Sequence, residues 1–358
     1  MPRRALATAL LVLGVLASAC TATDSTTGPV ATPRPTSSIE PTPTTPPTPT
    51  PAPPLPTATP DPVAGAAGPD RPTIDELLAL DVPLNIAHAG GDQLAPHSTL
   101  YAMSVAVEEG ANLLELDVRL TADGELVVHH DDTVDRTTGS TGRVDALSLD
   151  QLQALDNAYW FSPQCWPCQD RPIEEYVYRG MRTGDVQPPE GVSPDDFSVP
   201  TFRQVVERFP TMAFDVEIKG TGLAAVATAS ALASEIADLG VGASTVVVAF
   251  DDAVLAAFEA LAPTVETSPG QAELTEWFLL QLPLDGEHRI LQVPPAFDGV
   301  PVLTADFWAR ADEQGLDVWV WMDDPARQEN LAFYQELIAQ GADGIIAGRP
   351  NEMAAALL

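Results

Sequence analysis

Basic residues are scarce in this chain. Against 51 aspartates and glutamates stand 17 lysines and arginines, for a formal net charge of −34 over 358 residues. That balance argues against nucleic acid or an anionic bilayer as an electrostatic partner, and an anionic substrate would need a local cation to approach. Cysteine is also nearly missing, with Cys20, Cys165 and Cys168 the full complement. The last two sit in a proline-containing QCWPCQ, where an exported chain would carry a small-loop disulfide or free thiols; the strand-to-helix setting of a redox-active pair is lacking. Large apolar residues, finally, are almost absent from 21 to about 72, where Thr, Pro, Ala and Ser prevail. Such a segment cannot bury enough surface to offset its conformational entropy, so a disordered Pro/Thr-rich tether is expected there.

Ahead of the tether, MPRRALATALLVLGVLASAC combines Arg3 and Arg4 with a moderate apolar run and small residues before Cys20. It reads as a secretory signal over 1–19 and not as a membrane span. LASAC resembles a bacterial lipobox, so we expect lipid attachment at Cys20 and a cell-surface lipoprotein, with full secretion as the alternative. Membrane contact is then expected only through that anchor.

The rest, 83–358, is long enough for one domain. Apolar strand candidates recur at Leu84–His88, Leu113–Leu120, Ala213–Ile218, Thr245–Phe250, Thr264–Thr267, Ile290–Val293, Val318–Trp321 and Gly344–Ala347. Helical patterns such as Thr99–Glu109, with Ser98 as N-cap, and Leu223–Leu239 separate most of them. Eight strands with this spacing predict a (β/α)8 TIM barrel, with a long irregular, aromatic insertion over 157–199 that forms either a lid or a self-packed surface loop.

The densest stretch is LLELDVRLTADGELVVHHD, Leu113–Asp131. Alternate side chains share a strand face, so Glu115 and Asp117 project together. TADG returns the chain as an antiparallel hairpin outside the barrel count; a turn centred on Ala122 and Asp123 would bring His130 opposite Glu115, with His129 facing away. In a barrel, functional groups belong at the C-terminal strand ends, and His88, Glu115, Asp117, Glu217, Lys219 and Trp321 all fall at or near such ends. A solvated hairpin face is the plainer reading of the acids alone, but three consecutive strands bearing acids or histidines point to a shared site.

HAGG at His88, PHST at Pro96, ELDVRLTADGELVVHHDDTVDRTTGSTG from Glu115, DVEIK at Asp215, VWVWMDD at Val318 and GADGIIAGRP at Gly341 together resemble the glycerophosphodiester phosphodiesterases. The resemblance implies a TIM barrel in which Glu115, Asp117 and Glu217 hold one divalent cation, Ca²⁺ or Mg²⁺. It places two acid/base histidines at His88 and His130, and substrate contacts at Lys219 and Trp321. The reaction implied is hydrolysis of a small glycerophosphodiester, or a lysophospholipid-like diester, to glycerol 3-phosphate and an alcohol. Three departures stand out. Ala89 replaces the family's arginine after the first histidine, His97 replaces the acid of PENT and so becomes a further substrate-binding candidate, and Ala347-Gly348 replaces Thr-Asp after the last strand. The alternative is therefore a barrel that binds a phosphorylated or polyol ligand with little turnover.

Overall fold

The computed structural model describes residues 71–163 and 165–358. The expected signal segment, Cys20 and the tether up to residue 70 lie outside these. The strands are β1 (Leu84–Ala87), β2 (Leu113–Leu120), β3 (Leu126–Val128), β4 (Ala213–Ile218), β5 (Thr245–Val248), β6 (Glu266–Thr267), β7 (Ile290–Val293), β8 (Ala296–Phe297), β9 (Val300–Pro301), β10 (Asp317–Trp321) and β11 (Gly344–Ala347). Eight of them pair in parallel in the order β6-β5-β4-β2-β1-β11-β10-β7, with β3 added antiparallel on β2. These eight are the strands expected from the sequence, because strands covered on both faces read as short unbroken apolar runs. Between β6 and β7 side chains close the seam: the Gln292 amide donates to Ser268 Oγ at 3.1 Å, and Arg289 Nε donates to Glu266 Oε2 at 3.0 Å.

Two apolar layers hold the barrel together. Inside it, Leu84, Ile86, Leu113, Ala213, Val246, Ile290, Trp319 and Ile346 pack with Ile74 and Leu77 of the short helix Ile74–Leu78, which covers the N-terminal end. Outside it, residues such as Leu114, Leu116, Phe214 and Val216 meet the helices. The helix Gly222–Leu239 is apolar and long enough to cross a membrane, but its Ala225, Ala229, Leu232 and Ile236 are buried against this outer layer as a barrel helix.

Toward the C-terminal strand ends the inner layer changes character. On β2, Leu113 is followed on the same face by Glu115 and Asp117; on β4, Ala213 is followed by Asp215 and Glu217. The β2–β4 register pairs Glu115 with Asp215 and Asp117 with Glu217, so the ladder itself assembles the acids.

Two local expectations are corrected. The helix after β1 spans Leu100–Glu108 and is capped by Thr99, whose Oγ1 accepts from the Ala102 amide at 3.1 Å, while Ser98 takes a left-handed φ of 52°. The hairpin turn centres on Asp123, because Gly124 at φ 86° adds a third loop residue; the register Val118↔Val128 then sets His130 level with Leu116, not Glu115. A one-residue slip would send His130 to the wrong face, yet the chain leaves the strand after Val128, and His130 turns back over the barrel mouth.

Among its described residues the 157–199 insertion holds two short 3-10 turns, Ile173–Glu175 and Pro194–Phe197. It is packed by its own aromatics, with Arg179 Cζ 4.0 to 4.6 Å from the rings of Tyr159, Trp160 and Tyr176. It also reaches the site: Asn157 Nδ2 donates to the His97 carbonyl at 3.1 Å.

Candidate active site

Glu115, Asp117 and Glu217 present carboxylate oxygens all within 4.8 Å of one another. Glu115 and Asp117 are buried, and Asp117 Oδ2 has no hydrogen-bond partner. Lys219, the chain's one lysine, sets its ammonium 2.8 Å from Glu217 Oε1 and 3.1 Å from Asp117 Oδ1. The cluster therefore already gathers positive charge. Three hard oxygen donors, one of them orphaned, suit Ca²⁺ or Mg²⁺. Burial, then the neighbouring Asp117, pushes the Glu115 carboxyl well up; burial outweighs Lys219 and raises Glu217 as well. Asp117 goes the other way, drawn to about 2 by Lys219 and the nearby histidines despite its burial. Asp215, one step deeper and fully buried, is raised to about 7 by burial although Gln292 Nε2 donates to it at 2.7 Å.

Three histidines ring this cluster. His88 closes β1, and the next residue, Ala89, holds a left-handed φ of 44° that lets its amide donate to Glu115 Oε2 at 2.6 Å. A non-glycine residue there is strained by roughly 1 kcal/mol or more, a cost commonly met where a backbone group is aimed at a site. His88 Nδ1 lies 3.1 Å from Asp92 Oδ1. Burial would push this imidazole down, but Asp92, then Glu115 and Asp117, carry it up to about 10.

His130 Nδ1 lies 2.7 Å from Asp131 Oδ1, and Arg136 grips the same carboxylate through Nε and Nη2 at 2.6 and 2.8 Å. These bonds hold Asp131 far below the usual carboxylate range against its partial burial. His97 lies between the two, its ring 6.4 Å from that of His88 and 5.8 Å from that of His130. Burial, then Arg136 and the other histidines, keeps it well below the usual imidazole value, and Ser98 Oγ is 2.8 Å from its Nδ1. His129 sets its Nε2 3.1 Å from the Thr133 carbonyl.

Trp321 stands on the far side of the mouth, its ring 6.1 Å from Phe250. On the near side Trp166 of the insertion has its ring 6.0 Å from His97, and Arg136 Cζ lies 5.3 Å from the Trp166 ring. Cys165 and Cys168 are paired as a disulfide that brackets Trp166 in a small loop. Seven of the eight residues singled out from the sequence thus gather at one place, with Trp321 opposite. Sequence reasoning missed Asp92, Asp131, Arg136 and Trp166. Asp131 and Arg136 lay within the matched motif and were readable as partners for His130; Asp92 had only its spacing of four from His88.

A family model described as the glycerophosphoryl diester phosphodiesterase family matches residues 88–352. A glycerophosphodiester phosphodiesterase of Caldanaerobacter subterraneus is 49% identical over 73 residues, 20% of this chain and 30% of that protein. Glycerophosphodiester phosphodiesterase 1 of Bos taurus is 44% identical over 90 residues, 25% of this chain and 27% of that one. The aligned stretches thus span under a third of these relatives. Among solved structures, a glycerophosphodiester phosphodiesterase from Agrobacterium tumefaciens superposes with a TM-score of 0.56 at 22% identity, covering 75% of this chain and 98% of its own. A phosphodiesterase of Oleispira antarctica, in complex with the product sn-glycerol-3-phosphate, gives 0.57 at 20%, covering 77% and 96%. At these identities the structural likeness is one of fold.

Proposed function

Because the chain belongs to the glycerophosphoryl diester phosphodiesterase family, we propose that it is a phosphoric diester hydrolase that cleaves glycerophosphodiesters, or lysophospholipid-like diesters, to glycerol 3-phosphate and an alcohol. The observation that carries this reading is the meeting of two carboxylate-held histidines with a three-carboxylate cluster at one barrel mouth. Glu115, Asp117 and Glu217 are the residues to hold one Ca²⁺ or Mg²⁺. Bound there, the cation would draw in the phosphodiester that a −34 chain otherwise repels and polarise its phosphorus.

The remaining work falls to the chain's own groups. His88 and His130 each have Nδ1 beside a carboxylate, which leaves Nε2 as the atom for proton transfer. One histidine takes the proton from the attacking hydroxyl, the glycerol 2-hydroxyl or water, as the new P–O bond forms. The other gives a proton to the departing alcohol as the old P–O bond breaks; where the 2-hydroxyl attacks, the product is a cyclic phosphodiester, which water then opens to glycerol 3-phosphate with the two histidines exchanging roles. In the tautomer in which Ser98 Oγ donates to His97 Nδ1, the neutral ring carries its proton on Nε2, the form that can donate to a phosphate oxygen. Lys219 supplies charge to the same oxygens, and Trp321, edge to face with Phe250, offers an apolar wall to the glycerol carbons.

Ala89 favours the second reading, binding with little turnover, because the buried alanine supplies no guanidinium to clamp the phosphate. His88→Ala and His130→Ala separate the two. If the protein is a hydrolase, each lowers release of glycerol 3-phosphate from glycerophosphocholine by about 10²–10⁴-fold with little change in KM. Tight diester binding with no release by the unaltered protein supports the binding reading. For location, we propose export with a lipid anchor at Cys20; a Cys20→Ser chain that stays membrane-bound would refute the anchor.

A further inference from the structure

Behind His88 lies a buried carboxyl that the chemistry above does not use. Glu329 follows the short helix Pro325–Gln328 after β10, and it is buried although nothing in its immediate sequence calls for an acid there. Its Oε2 accepts from the Gly348 amide at 2.9 Å and from the Tyr334 hydroxyl. Gly348 follows β11 and Asp92 follows β1. The loops of β10, β11 and β1, consecutive in the sheet, therefore meet at this point.

Gly348 shows how closely they meet. A single carbon added to it would stand 2.5 Å from Asp92 Oδ1 and 3.0 Å from Glu329 Cδ, so the two carboxyls converge on the space a side chain would occupy. The backbone locks the same junction, with the Gln93 amide donating to the Gly348 carbonyl at 3.0 Å. Asp92 in turn is the partner of His88 Nδ1. We propose that Glu329 is a positioning residue: supported by Tyr334 and the Gly348 amide, it fixes Asp92 and through it the orientation of the His88 ring. The proposal rests on the reading of His88 as an acid/base group.

Two buried carboxylates in such proximity repel unless one keeps its proton. Burial and then the charge of Asp92 raise Glu329 to about 7. Its ion pair with His88 aside, Asp92 Oδ1 is buried without a hydrogen-bond partner, and a Glu329 that keeps its proton is the donor on the other side of Gly348 for it. The arrangement extends the familiar pattern of a base oriented by a third group by one more member.

Glu329→Gln reproduces the neutral, donating form, whereas Glu329→Ala removes it and Gly348→Ala wedges a methyl group into the junction. In the full chain with Mg²⁺ or Ca²⁺, the expected result is that the glutamine variant keeps kcat within about threefold, while the other two lose about tenfold or more with KM nearly constant. Their pH profiles shift, and the downfield Nδ1 proton of His88 in NMR spectra is lost in both but kept in the glutamine variant. Unchanged kcat and an unchanged His88 resonance in Glu329→Ala would overturn the proposal. So would equal losses in the alanine and glutamine variants that track folded fraction. Should the unaltered protein hydrolyse no diester, the functional reading fails, and the resonance alone decides: dependence on Glu329 supports positioning and independence refutes it.

Discussion

Lys219→Met separates the two cations that the acid cluster can hold. The ammonium is nearly buried, with 11% of its side chain exposed, and touches both Asp117 and Glu217. Breaking a buried pair by removing one partner costs about 3–5 kcal/mol. Here the loss is smaller, because Glu217, whose pKa burial already raises, can take up a proton in place of the missing ammonium. We expect the cation-free variant to lose about 2–3 kcal/mol of stability. For divalent-cation binding the sign reverses. A unit charge and a divalent ion about 4 Å apart repel by about 8 kcal/mol at an effective dielectric near 20, most of which a flexible ammonium sheds by swinging aside. A gain of about 1.4 kcal/mol, or tenfold in affinity, is the expected remainder. Urea unfolding with and without Mg²⁺ or Ca²⁺, alongside calorimetric titration of the ion, measures both quantities. A variant that binds the cation more weakly than the unaltered protein, or that is no less stable without it, would refute the shared-site reasoning.

Asp131→Asn leaves the shape of the His130 anchor but removes the charge that His130 and Arg136 share, so kcat should fall by about ten- to a hundredfold with the fold intact; steady-state kinetics beside circular dichroism checks this. Trp166→Ala removes the aromatic wall beside His97, and KM for choline- or acyl-bearing diesters should rise several-fold while kcat changes less. Glu329 binds its proton more tightly folded than unfolded, so its contribution to stability is full below about pH 4.5 and is lost as pH rises through about 7. Plots of Tm against pH for Glu329→Gln should lack that share of the decline over this window.

The eight barrel strands were legible because each is a short apolar run bounded by turn residues, and the acids were legible because period-two alternation puts Glu115 with Asp117 on one face. The hairpin register was not, since one left-handed glycine, Gly124, decides between a two- and a three-residue loop. Asp92 and Glu329 escaped for a different reason: they are 237 positions apart in the chain and meet only because β1, β11 and β10 are neighbours in the closed sheet. Trp166 was visible as an aromatic in a long insertion, but only the folded loop sets it beside His97.

Release of glycerol 3-phosphate from glycerophosphocholine, followed with Mg²⁺ or Ca²⁺ and then with excess chelator, decides whether this barrel mouth is a cation-assisted diesterase. Release should stop on chelation, resume when the cation is restored, and be lost in Glu217→Gln. Turnover that persists in chelator, or that survives Glu217→Gln unchanged, would contradict it.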